Sequence, residues 1–131
     1  MSNPRIPIGI AVVEHAGKYL VGRRAPTASL PGRDEFPGGK CEPGESPRDC
    51  AVRECLEETG LRVEPLELLL SVPFNYDHAK VELFFWRCRL IDATRAGNLP
   101  DKCRWVPLNE LSGLNFPKAN APLLELLFSR A

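Results

Sequence analysis

Charge of one sign is what this 131-residue sequence lacks most plainly, because 17 basic residues stand against 17 acidic ones and leave no formal net charge. Without a basic excess there is no electrostatic footprint for a nucleic-acid polymer or an anionic membrane, so any anionic ligand must be neutralised locally. Long apolar runs are missing too, and no segment approaches the roughly 20 residues that span a bilayer. The opening MSNPRIPIGI has no charged region, apolar stretch and small-residue site of the kind a signal peptide needs, which points to a cytoplasmic location. The cysteines, at 41, 50, 55, 88 and 103, are odd in number and lack C-x-x-C spacing. They indicate neither a disulfide framework nor a zinc ribbon and read as reduced thiols, with Cys50 and Cys55 in or near the core. Histidine is limited to two residues, nothing pairs either with a cysteine, and a catalytic thiol is not expected. Internal repeats and low-complexity tracts are absent.

What is present suits one compact domain over 1–131, since 44% hydrophobic content supports a core at this length. Residues 6–13 form an apolar, β-branched run of the kind buried on both sheet faces, and 19–23 return after a polar turn as a second strand. Residues 25–35, rich in proline, glycine and small side chains, predict a loop with the length of a lid. Further strands are expected at 61–72, 81–91 and 103–106, with a turn at 73–79 and a loop at 92–101. A helical turn at 108–111 and an amphipathic helix at 119–129 close the chain. Strands before, between and after two helices predict an α/β fold, a mixed sheet sandwiched between helices.

The densest chemistry lies in GGKCEPGESPRDCAVRECLEETGL, residues 38–61. Ser46 is a good N-cap, Pro47 fits the first helical position, Asp49 completes an S-x-x-D capping pattern, and Gly60 fits the stop. Ala51 and Cys55, with Val52 and Leu56 beside them, supply an apolar side. Glu54, Glu57 and Glu58 stand at i, i+3 and i+4, so their carboxylates share one face and repel unless a cation compensates them. An all-oxygen donor set suits a hard ion such as Mg2+ or Mn2+. Arg53 can pair with Glu57 or reach back to Glu45, orienting a carboxylate in either case. Three glutamates on a helix are by themselves more often a solvated face.

The order changes that balance. Gly39, five residues, Glu45, seven residues, Arg53-Glu54, apolar Cys55 and Leu56, Glu57-Glu58, Thr59, Gly60 and Leu61 resembles the Nudix box over 39–61, with Cys55 where an aliphatic residue is more usual. EFPGGK at 35–40, LNFPKANAPLLELL at 114–127 and the pair Arg23-Arg24 resemble the MutT branch of the Nudix hydrolases. The resemblance implies the Nudix α/β/α sandwich and metal-assisted phosphoanhydride hydrolysis, with the Gly39 carbonyl, Glu54, Glu57 and Glu58 holding Mg2+ or Mn2+. It implies as substrate a small-molecule nucleotide, 8-oxo-dGTP in this branch, cut to a monophosphate and pyrophosphate by a monomer or homodimer. The branch takes its general base from a glutamate in the loop before the last strand. Here that loop offers Asp101, which leaves Glu54 and Asp101 as candidates.

Base recognition falls first to Asn120, whose side chain both donates and accepts, although an Asn before a helix is commonly its cap. Arg24 and Lys40 are candidates for phosphate or base, Phe36 for stacking, and His78 is left outside the site. Two alternatives stay open. One is a hydrolase of another nucleoside diphosphate derivative, such as ADP-ribose, a dinucleoside polyphosphate or a modified cytosine nucleotide. The other is a non-catalytic module that recognises oxidised guanine, against which the complete carboxylate set argues.

Overall fold

The computed structural model describes residues 4–24 and 32–130. The lid expected within 25–35 therefore lies mostly outside the described residues. The central strand is β1 (Ile6–His15). It turns through Ala16 and Gly17, both at positive φ, into β2 (Lys18–Arg23), as a two-residue hairpin turn with the strands' own twist requires. Short β3 (Asp34–Glu35), at the end of the segment expected as a loop, and β4 (Gly38–Lys40) follow. Both add at the open end of the hairpin, on its two different strands: β3 pairs with β2 at Gly22 and Arg23, and β4 pairs antiparallel with β1 at Ile8, Gly9 and Ile10.

The helix α1 (Pro47–Thr59) has the predicted ends. Ser46 Oγ accepts the Asp49 N–H at 3.1 Å, and Gly60 closes the helix at φ 79° with its N–H on the Leu56 carbonyl. Strand β5 (Val63–Asn75) runs antiparallel to β6 (Lys80–Leu90), and β6 lies parallel to β1. The expected turn at 73–79 shrinks to residues 76–79. Pro73 is accommodated within β5 because that strand is the sheet edge, where a missing N–H breaks no ladder. β7 (Arg104–Pro107) joins β2, α2 (Leu108–Leu111) and α3 (Ala121–Ser129) follow, and the loop at 92–101 contains a short 3-10 turn.

The seven strands form one mixed sheet, ordered β3-β2-β1-β6-β5 along its main path. β1 feeds both faces. Ala11 and Val13 pack with Ala51 and Cys55 of α1 and with Leu61 and Val63, whereas Ile10 and Val12 pack with Leu111, Leu123 and Leu127 on the opposite side. The result is the expected α/β/α sandwich. Gly9 sets the distance of α1, since a Cβ there would meet the Pro47 carbonyl at 2.6 Å and Cys50 Cβ at 2.7 Å. Among the described residues no helix is long and apolar enough to cross a membrane.

Candidate active site

The close approach of α1 to β1 and β4 places the carboxylate face of the helix against the glycine strand. Glu54 lies on Gly39, where a Cβ would fall 2.6 Å from the carboxylate, so any side chain at 39 would displace it. Glu58 Oε2 accepts the Gly38 N–H at 2.9 Å. Glu57 stands further out, its side chain 56% exposed against 18% for Glu54. The face predicted to turn inward as three residues therefore does so as two, with the third at the rim.

Arg53 binds this set together. Its Nε and Nη2 form a fork on Glu45 at 2.7 and 2.9 Å, while Nη1 donates to Glu54 at 2.9 Å and Glu57 at 3.1 Å. Both sequence-level alternatives for Arg53 are thus realised at once. The Arg53 guanidinium, helped by the Glu42 N–H, holds the Glu45 carboxyl down to about 2. Glu58 is driven the other way, up to about 8, by burial and by the nearby Glu35 and Glu54. A buried acid so crowded by like charge is where a cation gains most, and the donors are oxygens, so the residues fit a hard divalent ion.

The pairing of β4 with β1 decides which of its carbonyls turns toward the carboxylates. Cys41 N–H donates to Pro7 and Ala11 N–H to Pro37, so the two-residue alternation makes Gly9 and Gly39 a pair that bond each other. The Gly39 carbonyl also accepts the Cys50 thiol at 3.2 Å. Gly38 and Lys40 turn their peptide groups the other way, as the Gly38 bond to Glu58 and the 3.2 Å bond from Arg53 to the Lys40 carbonyl show. The carbonyl that faces the carboxylates is consequently that of Gly38, and the Gly39 carbonyl faces β1.

Beside the carboxylates opens a cleft of about 450 Å³, a size suited to a nucleotide. Arg24, Phe36, Lys40 and Asn120, all proposed from sequence, line it. Asn120 is 7% exposed, and among the described residues its side chain makes no cap, only a 3.4 Å contact with the Pro117 carbonyl. Phe36 is 4% exposed and stacked on Phe116 at 4.9 Å, so it is a core ring with part of its surface in the wall. Arg24 donates to Glu35 at 2.8 Å. Asp101 is exposed, makes no ion pair among the described residues and does not line the cleft.

The sequence missed several wall residues. Tyr76, Asp77 and His78, from the turn between β5 and β6, line the cleft, with Tyr76 and His78 rings 5.9 Å apart. His78, expected outside the site, lies among them in the wall. Glu35, which pairs with Arg24 and whose charge bears on Glu58, lines the cleft as well. Asp34 anchors the segment that brings Asn120 into place. Burial pushes its carboxyl up, but the Asn115 N–H at 2.8 Å, Arg104 at 2.9 Å and Arg23 outweigh that and hold it below the usual carboxylate value.

A mixed sheet between helices, with a carboxylate helix on a glycine strand beside a nucleotide-sized cleft, defines a hydrolase-type site for polyphosphate chemistry. Comparison with known proteins gives the family. Residues 9–126 match the NUDIX domain. The chain is 31% identical over 127 residues to an 8-oxo-dGTP diphosphatase of Escherichia coli K12, covering 97% of this chain and 98% of that one. It is 30% identical to a CTP pyrophosphohydrolase of the same organism, over 92% of this chain and 89% of the relative. Among solved structures it resembles a MutT protein from Methanosarcina mazei Go1, with a TM-score of 0.81, 25% identity and coverage of 99% and 96%. The chain belongs to the Nudix family, as a pyrophosphohydrolase that acts on phosphoanhydride bonds.

Proposed function

We propose that the protein hydrolyses a purine nucleoside triphosphate to its monophosphate and pyrophosphate, with 8-oxo-dGTP as the preferred substrate. The observation that carries this is Asn120. It is buried, makes no helix cap, and lies in the wall of a cleft that runs on to Gly38, Gly39 and Lys40 beside the carboxylates. A carboxamide in that position offers a donor and an acceptor to a purine edge. Similarity to an 8-oxo-dGTP diphosphatase over nearly the whole chain supports the same substrate.

Glu54, Glu57, Glu58 and the Gly38 carbonyl would hold Mg2+, with Mn2+ as a substitute. When bound, the ion supplies charge neutralisation at the phosphates and a more acidic water. Arg53 orients Glu54 and Glu57 and is itself fixed by Glu45. Glu54, held within the cluster, is assigned as the proton acceptor in preference to exposed Asp101. Lys40 offers positive charge to the phosphates. Arg24 and the Tyr76–His78 turn enclose the base.

The 30% identity to a CTP pyrophosphohydrolase favours a second reading, a modified cytosine nucleotide. A panel of normal and oxidised nucleotides assayed with Mg2+ separates the two. The expected result is a preference for 8-oxo-dGTP over dGTP that Asn120→Ala reduces by roughly 10-fold, in line with about 1–3 kcal/mol for a bidentate base contact. A preference for cytosine nucleotides, or one that Asn120→Ala leaves unchanged, would overturn the assignment.

A further inference from the structure

Beside Gly39 the structure gathers a second group of potential ligands, two thiols that hydrolysis does not use together with the carboxylate that anchors Arg53. Cys41 Sγ, Cys50 Sγ and a Glu45 carboxylate oxygen all lie within 4.8 Å of one another. We propose that these three residues form a site for a thiophilic divalent cation, Zn2+ or Cd2+, and that its occupation inhibits the enzyme. Two thiolates and a carboxylate around a tetrahedral ion, at roughly 2.3 and 2.1 Å, sit close enough that side-chain rotation completes the arrangement. The Gly39 carbonyl oxygen, 3.2 Å from Cys50 Sγ, or a water takes the fourth position. Cys41 is partly exposed and gives the ion an entrance, whereas Cys50 is buried behind it. Each thiol passes its proton to solvent as the ion binds.

The sulfur donors select against Mg2+, which takes oxygen ligands and keeps much of its water. Inhibition follows from Glu45. That carboxylate anchors the Arg53 fork, and the same guanidinium orients Glu54 and Glu57. An ion that draws Glu45 away releases Arg53 and with it the geometry of the carboxylates. The binding site stands on the three side chains alone, and only the inhibition rests on the proposed hydrolytic function.

The test is a Cd2+ titration of the reduced full chain in excess Mg2+, reading thiolate-to-cadmium charge-transfer absorbance alongside pyrophosphate release. The expected result is a stoichiometric band with parallel loss of turnover. Cys41→Ser weakens the band by at least the roughly 10–100-fold that outer partners of a metal site are worth, keeps Mg2+-dependent turnover and resists Cd2+. Glu45→Gln, whose fold is verified by circular dichroism, also weakens the band, and Cys103→Ser leaves it unchanged. Equal Cd2+ affinity in wild type and Cys41→Ser would overturn the site, and inhibition that persists in Cys41→Ser would overturn the coupling. If no nucleotide is turned over, the hydrolytic assignment fails while the absorbance still decides the site.

Discussion

Arg53 determines the geometry of the carboxylates, because a single guanidinium contacts Glu45, Glu54, Glu57 and the Lys40 carbonyl. Lysine carries the same charge but cannot make that fork. Arg53→Lys is therefore expected to lose roughly 10–100-fold in turnover, nearly as much as Arg53→Ala, in steady-state assays at saturating Mg2+. Full activity in the lysine variant would show that charge alone suffices. Glu57 and Glu45 were legible as partners of Arg53 because i+4 and a short loop are local facts, whereas its bonds to Glu54 and the Lys40 carbonyl were not. The direction in which the Gly38 and Gly39 carbonyls point was not legible either. It depends on which residues of β4 bond to β1, and that register is set by the packing of distant segments.

At the scale of elements, α1 was the most legible, since Ser46, Pro47, Asp49 and Gly60 define its ends by local chemistry. Its seat on the sheet was hidden. Gly9 sits in an apolar strand where nothing local reveals that the Pro47 carbonyl and Cys50 will arrive within 3 Å of its missing Cβ. Gly9→Ala is expected to lift α1 and destabilise the protein by about 1–3 kcal/mol, as overpacking does, measured by urea unfolding. The short strands β3 and β4, two and three residues long, are too brief to leave a periodic pattern in the sequence. Asp34 in β3 gives one contribution to the pH dependence, at the acid end. Its carboxyl in the fold lies below its unfolded value, roughly 3.9, so its contribution is present above that pH and is lost as pH falls through the folded value. Asp34→Asn should be less stable than wild type at neutral pH and lose less stability on acidification, as seen in unfolding at a series of pH values.

At the scale of the whole molecule, the α/β/α sandwich could be read from the alternation of strands and helices, and the cleft could not. Its walls come from β1, the segments around β3 and β4, the 76–79 turn and the segment before α3, which only the completed sheet brings together. The Tyr76–His78 wall was obscured further by Pro73, which suggested a turn where the edge strand continues. These parts converge on one claim, that the carboxylate helix and a divalent ion together cut a nucleotide phosphoanhydride. Pyrophosphate release from the preferred nucleotide, compared between wild type and Glu57→Gln with Mg2+ and with a chelator, tests it most directly. Glu57 is the most exposed of the three carboxylates and pairs with Arg53 at the rim, so its replacement should spare the fold. Mg2+-dependent release is expected to fall by roughly 10²-fold or more in the variant and to disappear with the chelator. Undiminished release in Glu57→Gln, or release that survives the chelator, would contradict it.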